Sequence, residues 1–524
     1  MTADRMTADR TTAHRSTEDR FAAFRDNIVG QQQRFVSPFG EKRIVYADWT
    51  ASGRAYRPIE AHLLEEILPF AANTHTETTI TGTYMSRAYE EARAIVKAHV
   101  GAGNDDALVF CGSGMTAAVN KLQRLLGLRA PAGMMAPSAG MAAPPGTMLP
   151  PASVTDAERP VVFVTHMEHH SNHISWLETT ALVEVIGAGK DGNVDLDCFR
   201  EQLARHRHRR YKIAAVTACS NVTGIRTPYP EIARLVHEEG GFCFVDFACS
   251  APYVDIDMRR AHLDAIYFSP HKFLGGPGTP GILVFNKRLY RNRIPDQPGG
   301  GTVAYTNPWG ERMYVDDIEL REDGGTPPFL QAIKAAMCIR LKEEMGVAPM
   351  LEREAAMVRR LFDRFARIGN VDLLEGSVTK RLGIISFVVE DAHHQLIVKL
   401  LNDRFGIQTR GGCSCAGTYG HRLLHVDKAR SHDIWRAIRA GDLYAKPGWV
   451  RLSIHPTMTD AELEYIMDAI EATAAHHREW ARDYGYDAAR NEFAYTGAYT
   501  AAAPPTAPPD ERERISGWFT AARW

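Results

Sequence analysis

Residues 267–285 read YFSPHKFLGGPGTPGILVF. An apolar, aromatic stretch stops at Ser269, a His-Lys pair follows, and glycines and prolines lead into a second apolar segment. A lysine at the end of a buried strand sits in mostly apolar surroundings, where desolvation lowers its pKa and makes it an imine-forming amine. Taken alone, the segment fits a generic surface lysine as well. Its flanks decide the fold class. From residue 161 the runs VVFVTH, ALVEVI, KIAAVTA, FCFVDF, DAIYFS and GILVFN alternate with helical patterns such as 196–208 and 229–239. That rhythm predicts an α/β domain built on a largely parallel sheet covered on both faces. In such a sheet, ligands gather at the C-terminal ends of the strands.

The chain has 524 residues, more than a single core serves, so two or more domains are expected. An apolar fraction of 45% and a charged fraction of 24% fit a soluble globular protein. Net charge is -2 with no basic block, so no electrostatic footprint for nucleic acid or an anionic membrane is present. No apolar run is long enough to span a bilayer. Eight cysteines are too sparse for a disulfide scaffold, and surroundings such as FCFVDFACS read as reduced core, which points to the cytoplasm.

The expected organisation is an N-terminal extension and helix over 1–43, a large α/β domain over 44–329, a small α+β domain over 330–489 and an irregular tail over 490–524. The opening MTADRMTADR reads as disordered, and a helix is expected around 18–34. IVYAD (44–48) reads as a strand, 58–68 and 84–99 as helices, and ALVF (107–110) as a strand running through CGSG into a helix. Residues 129–160 carry too much Pro, Ala and Gly for a regular element and read as an insertion. In the small domain, long helices (330–345, 350–366), LGIISFVVE, a helix near 392–405, the loop GIQTRGGCSCAGTYGH, the strand WVRLSIHP and a helix over 459–475 are expected.

Polar clusters follow most of the predicted strands. CGSGMTAAVN presents backbone N–H groups and a helix start that suit a phosphate, though a plain strand-helix turn accounts for it equally. THMEHHSN places His169 and His170 at a strand end. An imidazole over a cofactor ring, an ordinary polar loop and, remotely, a zinc site all fit, although HEXXH spacing is missing. Asp246 lies inside the apolar FCFVDF run, and a buried carboxylate needs a cationic or protonated partner: a heteroaromatic nitrogen or an unseen arginine. Asn221 and Thr223 of SNVTG are further strand-end groups. Phosphate cradle, imidazole, acid, hydroxyl loop and lysine, in that order, are the parts that pyridoxal 5′-phosphate requires.

The segments YADWTASG, GSGMTAAVN, EHHSN, SNVTG, VDFACSAP, FSPHKFLGGPGTPGILV, EDGGTP, TRGGCSCAG and VRLSIHP, across about 44–475, resemble the class V aminotransferase family of fold-type I pyridoxal-phosphate enzymes, in its cysteine desulfurase and selenocysteine lyase branch. The resemblance implies an aspartate-aminotransferase-like large domain with a mostly parallel seven-stranded sheet. It makes Lys272 the cofactor-bonding lysine, Asp246 the pyridinium partner and His169 the ring-stacking residue. Thr116, the backbone of Gly114 and Met115, Ser269 and His271 would hold the phosphate. Gly325 and Thr326 would reach the neighbouring subunit's cofactor, which implies a homodimer with shared active sites. Asn221 would sit by the ring and the substrate carboxylate, and Arg451, with Arg410 as second candidate, would clamp that carboxylate. No metal is implied.

Cys415 matches the family's sulfur-accepting loop cysteine, while the Cys413/Cys415 pair also fits small residues in a turn or a redox pair. Two positions depart from the pattern. Cys249 stands where desulfurases usually carry a Gln that bonds the ring's phenolic oxygen, and the loop RGGCSC is closer to that of molybdenum-cofactor sulfurases. The expected activity is conversion of L-cysteine to L-alanine with sulfur passed to Cys415 as a persulfide, then to a protein or small-molecule acceptor. A β-lyase, an aminotransferase, an epimerase, a selenocysteine lyase and, more remotely, a non-catalytic module on the same fold are the alternatives.

Overall fold

The computed structural model describes residues 17–74, 76–129, 159–488, 490–497, 515–516 and 518–520. The opening MTADR repeats and the body of the expected 129–160 insertion lie outside the described residues, as does most of the expected tail.

A seven-stranded sheet forms the centre. Its spatial order is Asp106–Cys111, Gly281–Asn286, Ala265–Phe268, Phe242–Asp246, Lys212–Thr217, Val161–Thr165 and Leu182–Ile186. Five strands from Ala265–Phe268 to Leu182–Ile186 run parallel, and Gly281–Asn286 is antiparallel to both its neighbours. The inner strands are buried throughout, as their continuous Val/Ile/Ala/Phe runs require of a sheet covered on both faces. Helices Leu196–Arg205 and Tyr229–Glu238 lie close to the sequence expectation. Met115–Leu125 buries Ala118, Val119, Leu122 and Leu125, spaced three and four apart, against the sheet.

The second unit is a four-stranded antiparallel sheet in the order Val371–Leu373, Ile384–Val389, Trp449–Ser453 and Arg410–Gly412. Helices Val347–Phe365, His394–Phe405 and Asp460–Trp480 belong to it. The last begins at a capping box, with Thr459 Oγ1 accepting from Glu462 N and the Glu462 carboxylate accepting from Thr459 N. Val45–Tyr46 pairs parallel with Ile407–Gln408, and Ser453 N donates to Ala47 O, so the start of the chain is sewn to its distant end. From there the backbone passes under the lysine turn. A Cβ on Gly53 would sit 1.8 Å from Phe273 O, so only glycine fits there.

Several expectations need correction. The helix expected over 18–34 is a short one: a 3-10 turn at Asp19–Phe21 and helix Ala22–Asp26, after which Arg34–Ser37 and Gly40–Arg43 make a hairpin. The 58–68 helix starts at Arg57 with Pro58 in its first turn and loosens into π and 3-10 turns after His62. Helix Ile80–His99 begins four residues earlier than expected, capped by Thr79, whose hydroxyl accepts from Gly82 N. The expected 406–421 loop holds two short strands and the start of helix Gly417–Leu423, and a further helix, Lys428–Arg439, follows. Residues 490–524 are not wholly irregular, because Glu492–Tyr495 pairs with Tyr484–Asp487.

Candidate active site

The connections that leave the C-terminal ends of the parallel strands open into one cavity of about 810 Å³. Gly114, Met115 and Thr116 enter it from the first strand-helix turn, His169 and Asn221 from the next two, Asp246 and Cys249 from the fourth, and Ser269, His271 and Lys272 from the fifth. The small domain adds Arg410, Cys415 and Arg451.

At one end stands an anion cradle. Helix Met115–Leu125 starts at Gly114, which has no side chain to cap it, and its first residues Met115 and Thr116 line the cavity. Met115 N donates to Ser269 Oγ at 2.8 Å. A Cβ on Gly114 would lie 3.0 Å from both Ser269 Oγ and His271 Cε1, so the missing side chain makes the cradle. Thr116 Oγ1 is 2.7 Å from Ser171 Oγ. Burial, aided by the Lys272 charge, pushes the His271 imidazole down to about 4 and keeps it neutral.

In the middle lies a line of titratable groups. Asp246 ends its strand, buried, with Oδ1 accepting from Ala248 N at 2.7 Å, and burial lifts its carboxyl to about 6. Lys272 sits on the 3-10 turn Pro270–Lys272. Burial lowers its ammonium pKa, and Cys249 and Asp246 act against that shift. His169 caps helix His170–Leu177 through Nδ1, which accepts from Ser171 N at 3.1 Å. Burial, then Lys272, push this ring down to about 3, so it is neutral with its proton on Nε2. Cys249 Sγ lies 3.0 Å from Cys219 O, to which the thiol donates.

At the far end is a guanidinium pair. Arg451 is only 3% exposed. Its Nη2 meets Asp48 Oδ1 at 2.7 Å and its Nη1 donates to Asn221 O at 3.1 Å, while Arg410 Nε meets Asp48 Oδ2 at 3.0 Å. Asn221 Nδ2 donates to Ser414 O at 2.8 Å. Cys415 is an exposed free thiol on this side of the cavity, and Cys413 is half-buried beside it.

Gly325 and Thr326 are not brought to this cavity: Gly325 N donates to Gly300 O at 2.9 Å, and Thr326 is exposed. Sequence reasoning missed Asp48, Thr50 and Glu168. Glu168, fully sequestered beneath the sheet ends, accepts from Thr165 N, Thr217 N and Asn172 Nδ2, and burial raises it to about 7. The signal for Asp48 was an acid ending an apolar strand, the same cue that marked Asp246.

The sequence profile of aminotransferase class-V matches residues 152–466. The chain belongs to the class V aminotransferase family. A probable cysteine desulfurase of Halalkalibacterium halodurans is 27% identical over 381 residues, 71% of this chain and 84% of the relative. One of Staphylococcus epidermidis is 26% identical over 379 residues, 72% and 84% of the two chains. The fold matches an apo cysteine desulfurase from Thermococcus onnurineus with a TM-score of 0.68 at 22% identity, covering 86% of this chain and 98% of that one. It also matches the cysteine desulfurase CsdA of Escherichia coli, with a TM-score of 0.65 at 18% identity and coverage of 87% and 98%.

The class V aminotransferases are fold-type I enzymes that use pyridoxal phosphate, and this chain is one of them. Its cavity fits the cofactor: an open helix start, a desolvated lysine and a buried carboxylate supply the phosphate, aldehyde and ring-nitrogen partners. Thr50 Oγ1, Asn221 Oδ1, Ser414 Oγ and Arg451 Nε are buried without a protein partner around the same space, as suits a polar guest.

Proposed function

We propose that this enzyme is cysteine desulfurase-like: it takes L-cysteine, moves the substrate sulfur onto Cys415 and releases L-alanine. The observation that carries the reading is a loop thiol, Cys415, sharing one cavity with Lys272 and Arg451. The curated relatives named probable cysteine desulfurase support it.

Lys272, Asp246, His169, the Gly114–Thr116 turn, Ser269 and His271 would hold pyridoxal phosphate, which when bound supplies an electron sink for charge developing at the substrate Cα. Arg451 receives the substrate carboxylate on its forked donors, with Arg410 beside it. Asp246 would hold a proton on the ring nitrogen of the bound cofactor. Lys272, its pKa lowered by burial, carries the Cα proton away and returns one. The Cys415 thiolate attacks the substrate sulfur. The Cβ–Sγ bond breaks with its electron pair going to carbon, which takes up a proton and ends as the methyl group of alanine. L-Cysteine and one thiol become L-alanine and one persulfide, with no external oxidant.

The same groups would serve selenocysteine, whose Cβ–Se bond is weaker. The persulfide then passes to a thiol acceptor, protein or small molecule. The working unit would be a homodimer in which Gly325 and Thr326 complete the neighbour's cradle. The hairpin Val303–Thr306/Arg312–Tyr314, beside that turn, supports it by exposing Tyr305, Met313 and Trp309, the last 83% accessible. A reducing, cytoplasmic compartment agrees with eight unpaired cysteines. No helix among the described residues is long and apolar enough to cross a membrane.

Product analysis tests the reading. Cofactor-loaded protein is incubated with L-cysteine and a thiol reductant, beside a Cys415→Ala variant. Alanine with equimolar sulfide, abolished by the substitution, is the expected result. Pyruvate and ammonia, unchanged in the variant, would make the enzyme a β-lyase.

A further inference from the structure

Ser414 and Cys415 are consecutive non-glycine residues in the left-handed region, with φ of 49° and 56°. Each such residue costs on the order of 1 kcal/mol, so surrounding contacts must hold the turn in place. Within the loop itself, Ala416 N donates to Cys413 O at 2.9 Å. The large domain adds further anchors, two of them from one residue.

His170 opens helix His170–Leu177, directly after the ring-side His169. Its backbone N–H donates to Cys415 O at 2.7 Å. Its side-chain Nε2 accepts from Gly417 N at 2.8 Å. One residue therefore grips the turn on both sides of the Cys415–Gly417 segment. The imidazole is packed close, since a Cβ on Gly417 would sit 3.0 Å from His170 Nε2. One helical turn on, His173 Nδ1 lies 3.2 Å from Thr418 Oγ1, and Asn221 holds Ser414 O. Accepting at Nε2 requires the neutral ring with its proton on Nδ1. Burial, followed by Lys446, lowers the His170 pKa and favours that form.

We propose that His170 is the positioning residue for Cys415, its backbone N–H and its Nε2 clamping the left-handed turn so that the thiol is presented to the cavity. It touches neither reacting atom. It sets where the nucleophile stands, and a misplacement of about 1 Å in such a group costs on the order of a hundredfold in rate. The catalytic part of this inference rests on Cys415 being the sulfur acceptor. The clamp itself does not.

The test compares holoenzyme of the wild type with His170→Phe, which fills the space without an acceptor, and His170→Gln, which returns a carbonyl acceptor. A third variant, Thr418→Val, removes the His173 grip at a solvent-facing site and leaves His170 in place. Two readouts are taken: kcat and KM for alanine formation from L-cysteine, and the rate of Cys415 alkylation by iodoacetamide, followed by peptide mass spectrometry. For His170→Phe the expected result is kcat down roughly tenfold or more, KM within about twofold, and Cys415 alkylated about fivefold faster as the turn is released. His170→Gln should recover kcat to within about threefold of wild type, and Thr418→Val should raise alkylation about twofold. Alkylation rates equal in wild type and all variants would overturn the clamp. Faster alkylation with unchanged kcat would overturn the positioning role. Should the wild type yield no alanine from cysteine, the desulfurase reading falls, and the alkylation comparison still decides the clamp. If His170→Phe does not fold, His170→Ala, which removes the acceptor without adding bulk beside Gly417, carries the same comparison and the same expected results.

Discussion

Asp48 reaches across 403 positions of sequence to bond Arg451, and with its second oxygen it bonds Arg410. One carboxylate thus orients both guanidinium groups expected to meet the substrate. It also offsets part of their charge in a site where burial makes an unpaired cation expensive. Arg451 Nε is left without a protein partner, ready for a second carboxylate.

Replacing Asp48 with Asn keeps the shape and removes the charge. Hydrogen bonds between charged groups are worth roughly 1.5–3 kcal/mol, so KM for the amino acid should rise about tenfold or more. The effect on kcat should be small. Steady-state kinetics of Asp48→Asn beside Arg451→Lys checks this, with the arginine change the more damaging because lysine lacks the forked donors.

Asp246 predicts a pH effect with a definite sign. Its carboxyl is raised to about 6 by burial in the cofactor-free protein, above its ordinary value of 3.8. The folded chain therefore keeps a proton that the unfolded chain has lost. The stability this group lends is complete below about 4 and is lost as pH climbs through about 6. Urea midpoints of apoprotein, wild type against Asp246→Asn, should diverge to the wild type's disadvantage over that window and run parallel above it. Loading with cofactor should remove the divergence, and Asp246→Asn should bind the cofactor more weakly by absorbance titration.

Thiol reactivity should rank the cysteines by exposure. Cys415 is exposed, whereas burial pushes Cys111 and Cys338 up to about 12 and also raises Cys243 well above its ordinary value. Brief iodoacetamide treatment of native protein at pH 7.5 should label Cys415 at least about tenfold faster than any of these, because only thiolate reacts. Labelling should abolish sulfide release. Peptide mass spectrometry locates the adduct.

The proposed homodimer, with Trp309 in its contact, is tested at that residue. Burying a charge in a subunit contact is costly, so Trp309→Asp should weaken association by about tenfold or more. Activity per chain should fall with it. Sedimentation velocity over a concentration series reads the first effect and kinetics at the same concentrations the second.

The large domain was legible because its physics is local. Buried parallel strands are continuous apolar runs, and a polar residue that ends one, such as Asp246 or Ser269, stands out. The carboxylate end was half legible. Arg451 announces itself in VRLS, but its partner Asp48 lies at the other end of the chain, and no periodicity links them. His170 was read with His169 as a strand-end histidine or, remotely, a zinc ligand, because the loop it bonds lies 247 residues away. The helix expected over 18–34 was overextended, since Ile28 and Val29 continue an apolar pattern that the Asn27 turn breaks. Helix Lys428–Arg439 was missed for the opposite reason: it buries only Ile434 and so carries little apolar stripe to read.

The parallel pairing of Val45–Tyr46 with Ile407–Gln408 has a consequence for synthesis. While the ribosome is still making the small domain, Lys272 and Asp246 already exist, but Arg451 and the strand that docks the chain's beginning do not. Such contacts between distant segments form late in folding. A half-made chain therefore carries the lysine and the carboxylate without the guanidinium groups that face them across the cavity. The cavity is closed on its small-domain side only once Arg410, Cys415 and Arg451 have all been added.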